Sequence, residues 1–165
     1  MSQFFEQNLI VLANRWPNLA QLIADANDQE LQIELVQGLE TTLLVNGIQL
    51  TSRHDRVREA QIQSEQISEQ HEVVHLYGTA LGDLIRLLLG RSQLKELHIH
   101  LMNEALFKVL LHVASHTMWL SDSRVHLHLA SEFKDLQFPF FALPSELLLA
   151  SKQNAKLRDR VTAEV

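Results

Sequence analysis

The chain has 165 residues, 46% of them hydrophobic and 21% charged, which suits one globular domain with a buried core and excludes disordered and fibrous classes. It has no cysteine, which excludes disulfides, thiol catalysis and cysteine zinc sites, and its apolar runs, such as Leu147 to Ala150, are too short to span a bilayer. The net charge of −6 is concentrated in residues 1–52, where six acids face Arg15 alone; no basic face is present to take up phosphate, so nucleic acid is not an expected partner.

The opening MSQFFEQN places no basic region before an apolar stretch, so no signal peptide and a cytoplasmic location are expected. Over residues 3–24, Phe4, Phe5, Leu9, Leu12, Trp16, Leu19, Leu22 and Ile23 recur at helical spacing, with a break at Trp16-Pro17. Next, ELQIELVQGLETTLLVNGIQL alternates in short runs punctuated by Gln37-Gly38 and Asn46-Gly47. Asn-Gly favours a type I′ turn, so an antiparallel meander is predicted. Ser52 and Asp55 are candidate caps for a helix reaching about Gln70, with Val57, Ala60, Ser64 and Ile67 inward.

Three apolar strands follow, Val73–Tyr77, Leu97–Leu101 and Val125–Leu129, separated by helices near Leu81–Leu89 and Asn103–Thr117. Strands alternating with helices predict right-handed crossovers and a parallel sheet. The expected fold is thus α/β, a Rossmann-like three-layer unit preceded by an N-terminal helix and the meander. It reads as a single domain over 1–165: a helix and hairpin layer (1–52), the Rossmann-like unit (53–143), and a C-terminal helix or linker (144–165) for which Ser145 is a candidate cap.

The stretch VVHLYGTALGDLIRLLLG, Val73 to Gly90, has the strand–turn–helix order of a nucleotide or S-adenosylmethionine cradle. Gly78, Thr79, Gly82 and Asp83 are the candidate cofactor contacts. The G-x-G-x-x-G fingerprint is not met: the nearest pattern is G-x-G-x-G with Ala80 in place of its middle glycine. An acid for ribose hydroxyls is expected at the end of the next strand, where Leu101 and Met102 stand, and Glu104 lies further on. Asp83 repels a phosphate unless a cation bridges them. The glycines are therefore read first as permitting the turn, and a cofactor is not expected.

Nine histidines are many for this length, and four form two H-x-H pairs, His98/His100 and His126/His128. Period-two geometry puts each pair on one sheet face, and imidazole suits zinc, copper or nickel. No carboxylate or cysteine is read at ligand spacing, so the first expectation is a partly wet or helix-covered face, with Leu97, Ile99, Leu101, Val125, Leu127 and Leu129 facing the core. In SRHDRVRE, Arg53 and His54 at a helix start are weighed as an anion site against a solvated, capped helix with pairs such as Asp55–Arg58, and the second is favoured. There is no G-x-S-x-G, no P-loop lysine and no H-E-x-x-H, so catalysis by this chain alone is not expected. Phe138, Phe140, Phe141 and Leu143 either finish the core or meet a further domain or partner.

Several of these pieces together resemble one family. Asn8-Leu9, Leu12, Pro17 and Leu19 match an opening N-L-x-x-L … P-x-L. Leu43, Asn46, Gly47, Leu50, Ser52, Asp55, Glu59 and Ala60 match L-x-x-N/D-G-x-x-L-x-S-x-x-D-P-x-x-E-A, with Arg56 at the proline. Gly78, Leu81 and Gly82 match h-x-h-x-G-x-G-L-G-Y, with Ala80 and Asp83 as departures, and Asn103 is what is kept of a following E-P-N. Over residues 4–143 the chain resembles the N-terminal region of the motility accessory factor glycosyltransferases and their hydroxymethylpterin pyrophosphokinase-like relatives. The resemblance implies a cytoplasmic, Rossmann-like accessory domain in flagellin or surface-polysaccharide glycosylation, where nucleotide-activated nonulosonic sugars are handled. It also implies a following transferase domain or partner protein, met through the Phe138–Leu143 region, and a chain that is a fragment or a stand-alone relative. Two alternatives stand beside it: a degenerate methyltransferase-like domain binding S-adenosylmethionine or a nucleotide, and a metal module built on the four strand histidines. A homo-oligomer is compatible with each.

Overall fold

The computed structural model describes residues 3–38, 41–133 and 135–164. Helices α1 (Gln3–Arg15) and α2 (Pro17–Asp25) divide where expected, with Pro17 in the first turn of α2. Asn8 ties α1 to the rest: its amide donates to the carbonyls of Leu111 and Ala114, both at 2.8 Å. Strands β1 (Ile33–Gln37), β2 (Thr41–Val45) and β3 (Ile48–Gln49) form the antiparallel meander. Asn46 and Gly47, at φ 50° and 80°, make the left-handed turn that Asn-Gly predicts. The break expected at Gln37-Gly38 borders residues 39 and 40, which lie outside the described residues.

Helix α3 (Arg56–Ser64) is shorter than predicted. Asp55 is its cap, accepting from the Arg58 amide at 2.9 Å, whereas the Ser52 hydroxyl serves the amides of His54 and Asp55 one step earlier. The helix ends where the Arg91 guanidinium takes the Ser64 carbonyl at 2.8 Å. Val57, expected inside, is 50% exposed, while Ala60 and Ile67 are buried.

The sheet has four parallel strands, not three: β4 (Val73–Tyr77), β5 (Glu96–Leu101), β6 (Val125–Leu129) and β7 (Phe140–Ala142), in the order β6-β5-β4-β7. From β4 through α4 (Asp83–Leu89), β5, and α5 (Glu104–Val113) with α6 (Thr117–Leu120) to β6, each crossover steps the same way. Right-handed crossovers then put these helices on one face, where Val74, Leu76, Leu97, Ile99 and Val125 join the main core with Leu12, Phe107 and Trp119. The return from β6 to β7 runs beneath the opposite face and, among the described residues, contains a short 3₁₀ turn, Ala130–Glu132. That face is covered by this connection and by a smaller cluster in which Tyr77, Met102 and Leu136 meet Val161.

The C-terminal segment, expected as a helix or a linker, is helical. It forms α7 (Pro144–Leu148), a 3₁₀ turn (Lys152–Asn154) and α8 (Ala155–Glu164). Ser145 does not cap α7; its hydroxyl donates to the Leu50 carbonyl at 2.9 Å, and Leu143 holds the cap position. No helix among the described residues is long and apolar enough to cross a membrane.

Candidate functional site

In an open parallel sheet, ligands bind outside the carboxyl ends of the strands where the strand order reverses. Here that point lies between β4 and β7, and the glycine turn sits on it. Gly78 (φ 105°), Ala80 (φ 45°) and Gly82 (φ 91°) are all left-handed, so the turn alternates in hand and its amides converge as an anion-binding nest. Ala80, at φ 45°, holds the left-handed conformation that glycine adopts most readily.

The nest is filled from within the chain. Glu146, on α7, is 4% exposed, and its Oε2 accepts from the amides of Thr79 and Ala80 at 2.9 and 2.5 Å. A Cβ at Gly78 would lie 2.8 Å from the Glu146 carboxyl carbon, so glycine there is required by the packing as well as by φ. Burial pushes the Glu146 carboxyl up to about 7, against the two amide hydrogen bonds that pull it down. The next strand end is closed likewise. Met102, where a ribose acid was expected, is buried, and its carbonyl accepts from the Ser151 amide and the Asn154 side chain, both at 2.9 Å. Asn103 caps α5 and donates to the Leu149 carbonyl at 2.8 Å.

The structure thus brings Gly78, Thr79, Gly82 and Asp83 together in one turn and turns its polar groups toward the protein. The Thr79 hydroxyl donates to the Ala80 carbonyl at 3.1 Å. Asp83 lies between Arg56 at 3.4 Å and Arg86 at 3.5 Å. Arg56 reaches across the mouth of the turn and also donates to the Thr41 carbonyl at 2.9 Å. A cavity of about 160 Å³ remains there, lined among others by Arg56, Glu59, Thr79 and Asp83. Arg53 and His54 are exposed and take no part in it.

The opposite face of the sheet carries the histidines. Register places His75, His98 and His126 side by side across three strands, and Tyr77, His100 and His128 in the next row. Ring centroids within the first row are 4.8 Å apart. His98 Nδ1 is 2.9 Å from His128 Nε2, and His75 Nδ1 is 2.9 Å from His100 Nε2. Burial, then repulsion among neighbours, pushes His75 down to about 4 and His100 to about 3; His126 and His128 are lowered by the same causes. The expectation that no carboxylate completes this set is corrected. Glu96 begins β5 one residue earlier than predicted, and its Oε1 lies 2.9 Å from His98 Nε2 and 3.9 Å from His126 Nε2.

His116, which the sequence reading did not single out, is fully buried and structural. It bridges the Trp119 indole at Nδ1 and the Leu110 carbonyl at Nε2, while its amide donates to Asn8 Oδ1 at 2.7 Å. Of the aromatic segment, Phe140 and Phe141 pack on opposite faces of the sheet as part of β7 and Leu143 is buried, leaving Phe138 56% exposed.

Similar solved structures include spermidine synthase in complex with the transition-state analogue AdoDATO (12% identity, TM-score 0.56) and spermidine synthase from Thermotoga maritima (13% identity, TM-score 0.55). Each match covers 71% of this chain and 45% of the other, so the chain spans less than half the length of those proteins. At these identities the likeness establishes the Rossmann-like α/β fold. No family pattern and no curated protein matches the sequence.

Proposed function

We propose that this chain is a non-catalytic Rossmann-like accessory domain that acts by assembly or partner recognition within a glycosyltransferase-type system. The observation that carries the non-catalytic reading is Glu146 seated in the nest of the glycine turn, where it occupies the two amides a ligand's anionic group would use. The closure of the β5 end by Ser151 and Asn154 supports the same reading. The glycosylation setting rests on the resemblance of Asn8–Leu19, Leu43–Ala60 and Gly78–Gly82 to the motility accessory factor glycosyltransferases. The partner reading favours a following transferase domain or separate protein that engages Phe138 and the open edge of β7.

A second reading is favoured by the fold shared with spermidine synthase bound to AdoDATO: a degenerate domain that binds S-adenosylmethionine or a nucleotide at Gly78–Asp83. Titration calorimetry separates the two. S-adenosylmethionine and nucleotide sugars give no saturable heat if the domain is an accessory one. Saturable binding that Gly82→Trp abolishes replaces the first reading by the second.

A further inference from the structure

The histidine face of the sheet contains a point on which three side chains from two neighbouring strands converge. Glu96 and His98 are two residues apart on β5, and His126 lies directly across from His98 on β6. One ligand atom from each of Glu96, His98 and His126 lies within 4.8 Å of the others, and Glu96 Oε1 is 2.9 Å from His98 Nε2 and 3.9 Å from His126 Nε2. Four-coordinate zinc with bonds of about 2.0–2.1 Å holds its ligand atoms about 3.4 Å apart. The observed separations of 2.9 and 3.9 Å from Glu96 bracket that value, and small rotations of the half-exposed Glu96 and His126 side chains close the difference.

We propose that Glu96, His98 and His126 form a binding site for a divalent transition-metal ion of the zinc type, with a solvent-facing position left open. Two imidazoles and one carboxylate match the donor preference of such ions and supply too few oxygens for calcium or magnesium. The access path is direct, because the side chains of Glu96 and His126 are 47% and 42% exposed. The surrounding groups orient the ligands. With its Nε2 toward the ion, His98 directs Nδ1 to His128 Nε2 at 2.9 Å, and His128 Nδ1 faces Glu132 at 3.7 Å. Metal-ligating histidines are commonly held through their second nitrogen in this way.

The nearby cations are engaged elsewhere. Lys95 pairs with Glu72 at 2.6 Å, and the Arg15 guanidinium donates to the carbonyls of Leu120, Asp122 and Val125. The ion would satisfy at once a carboxylate oxygen and two imidazole nitrogens that a single shared proton cannot. This site is independent of the closed glycine turn, which lies at the strand ends, whereas the three ligands lie on the sheet face.

The test is zinc binding by untagged, chelator-treated full chain, followed by calorimetry, with Co²⁺ absorption as a spectroscopic readout. The expected result is one ion per chain and a visible Co²⁺ band. His126→Ala and Glu96→Gln each weaken binding by at least about tenfold, His128→Ala weakens it by about tenfold through the lost orientation of His98, and exposed His71→Ala leaves it unchanged. Near-ultraviolet circular dichroism checks that the variants remain folded. Absence of saturable zinc binding, or binding that His126→Ala and Glu96→Gln leave unmoved, overturns the proposal.

Discussion

Replacing Glu146 by glutamine keeps side-chain volume and an oxygen acceptor for the Thr79 and Ala80 amides, and removes the ionisable group. In the folded chain the Glu146 carboxyl titrates near 7, above its ordinary value of 4.5. A group whose folded value is raised contributes stability that is full below the unfolded value and lost as pH climbs to the folded one. The loss therefore begins near pH 4.5 and is complete above pH 7, reaching about 3 kcal/mol. Between pH 5 and pH 8 the wild type should lose roughly 2–3 kcal/mol relative to Glu146→Gln, a difference of roughly 5–10 °C in Tm for a domain of this size. Urea and thermal unfolding of both proteins at the two pH values measure it, and other titrating groups cancel in the comparison. Glu146→Ala instead leaves both amides unpaired and should cost about 2–4 kcal/mol at pH 5, where the carboxyl is largely neutral. Parallel pH dependence in the wild type and Glu146→Gln would refute the buried, ionisable plug.

His116 has the opposite sign. Burial holds it near 4, below 6.5, so stability is full above pH 6.5 and falls as pH drops toward 4. Relative to His116→Gln, the wild type should lose about 2 kcal/mol between pH 7 and pH 4.5 in urea unfolding, and equal losses would contradict the assignment. Asn8→Ala removes the amide that donates to the Leu111 and Ala114 carbonyls and accepts from the His116 N–H, and should cost about 2–4 kcal/mol, read from the same midpoint shift. Ala80→Gly relieves a left-handed alanine and should stabilise by about 0.5–1 kcal/mol, with any loss of stability counting against backbone strain at φ 45°.

The βαβ core was legible because alternation in strands such as ELHIHL and VHLHL and the amphipathic pattern of Leu106 to Leu111 are local signals. Other features escaped for physical reasons. β7 is three residues long and follows Pro139, so its aromatics read as a patch rather than a strand. Glu96 was lost to a strand boundary one residue late, although it shares the parity of His98 and His100. His75 and Tyr77 carry the same alternation within VVHLY and were legible once the strands were aligned, but no H-x-H pair drew attention to them. Glu146 had no local signature: a carboxylate in the first turn of a short helix reads as an ordinary helix-dipole partner, and only the tertiary structure carries it to Thr79. Asn8 and His116 are similar, since their joint role depends on α1 lying against the end of α5.

The acceptor for the Thr79 amide lies 67 residues downstream, on an element that follows the last strand of the sheet. The glycine turn thus cannot complete its hydrogen bonding until nearly the whole sheet has been threaded and α7 has docked. Its closure belongs among the non-local events of folding, which bear the largest chain-entropy cost before contacts compensate it. In the native state, transient release of α7 would expose the Thr79 and Ala80 amides together. Their hydrogen exchange becomes a site-specific gauge of how often the C-terminal segment lets go, separate from the slower opening of β4 and β5.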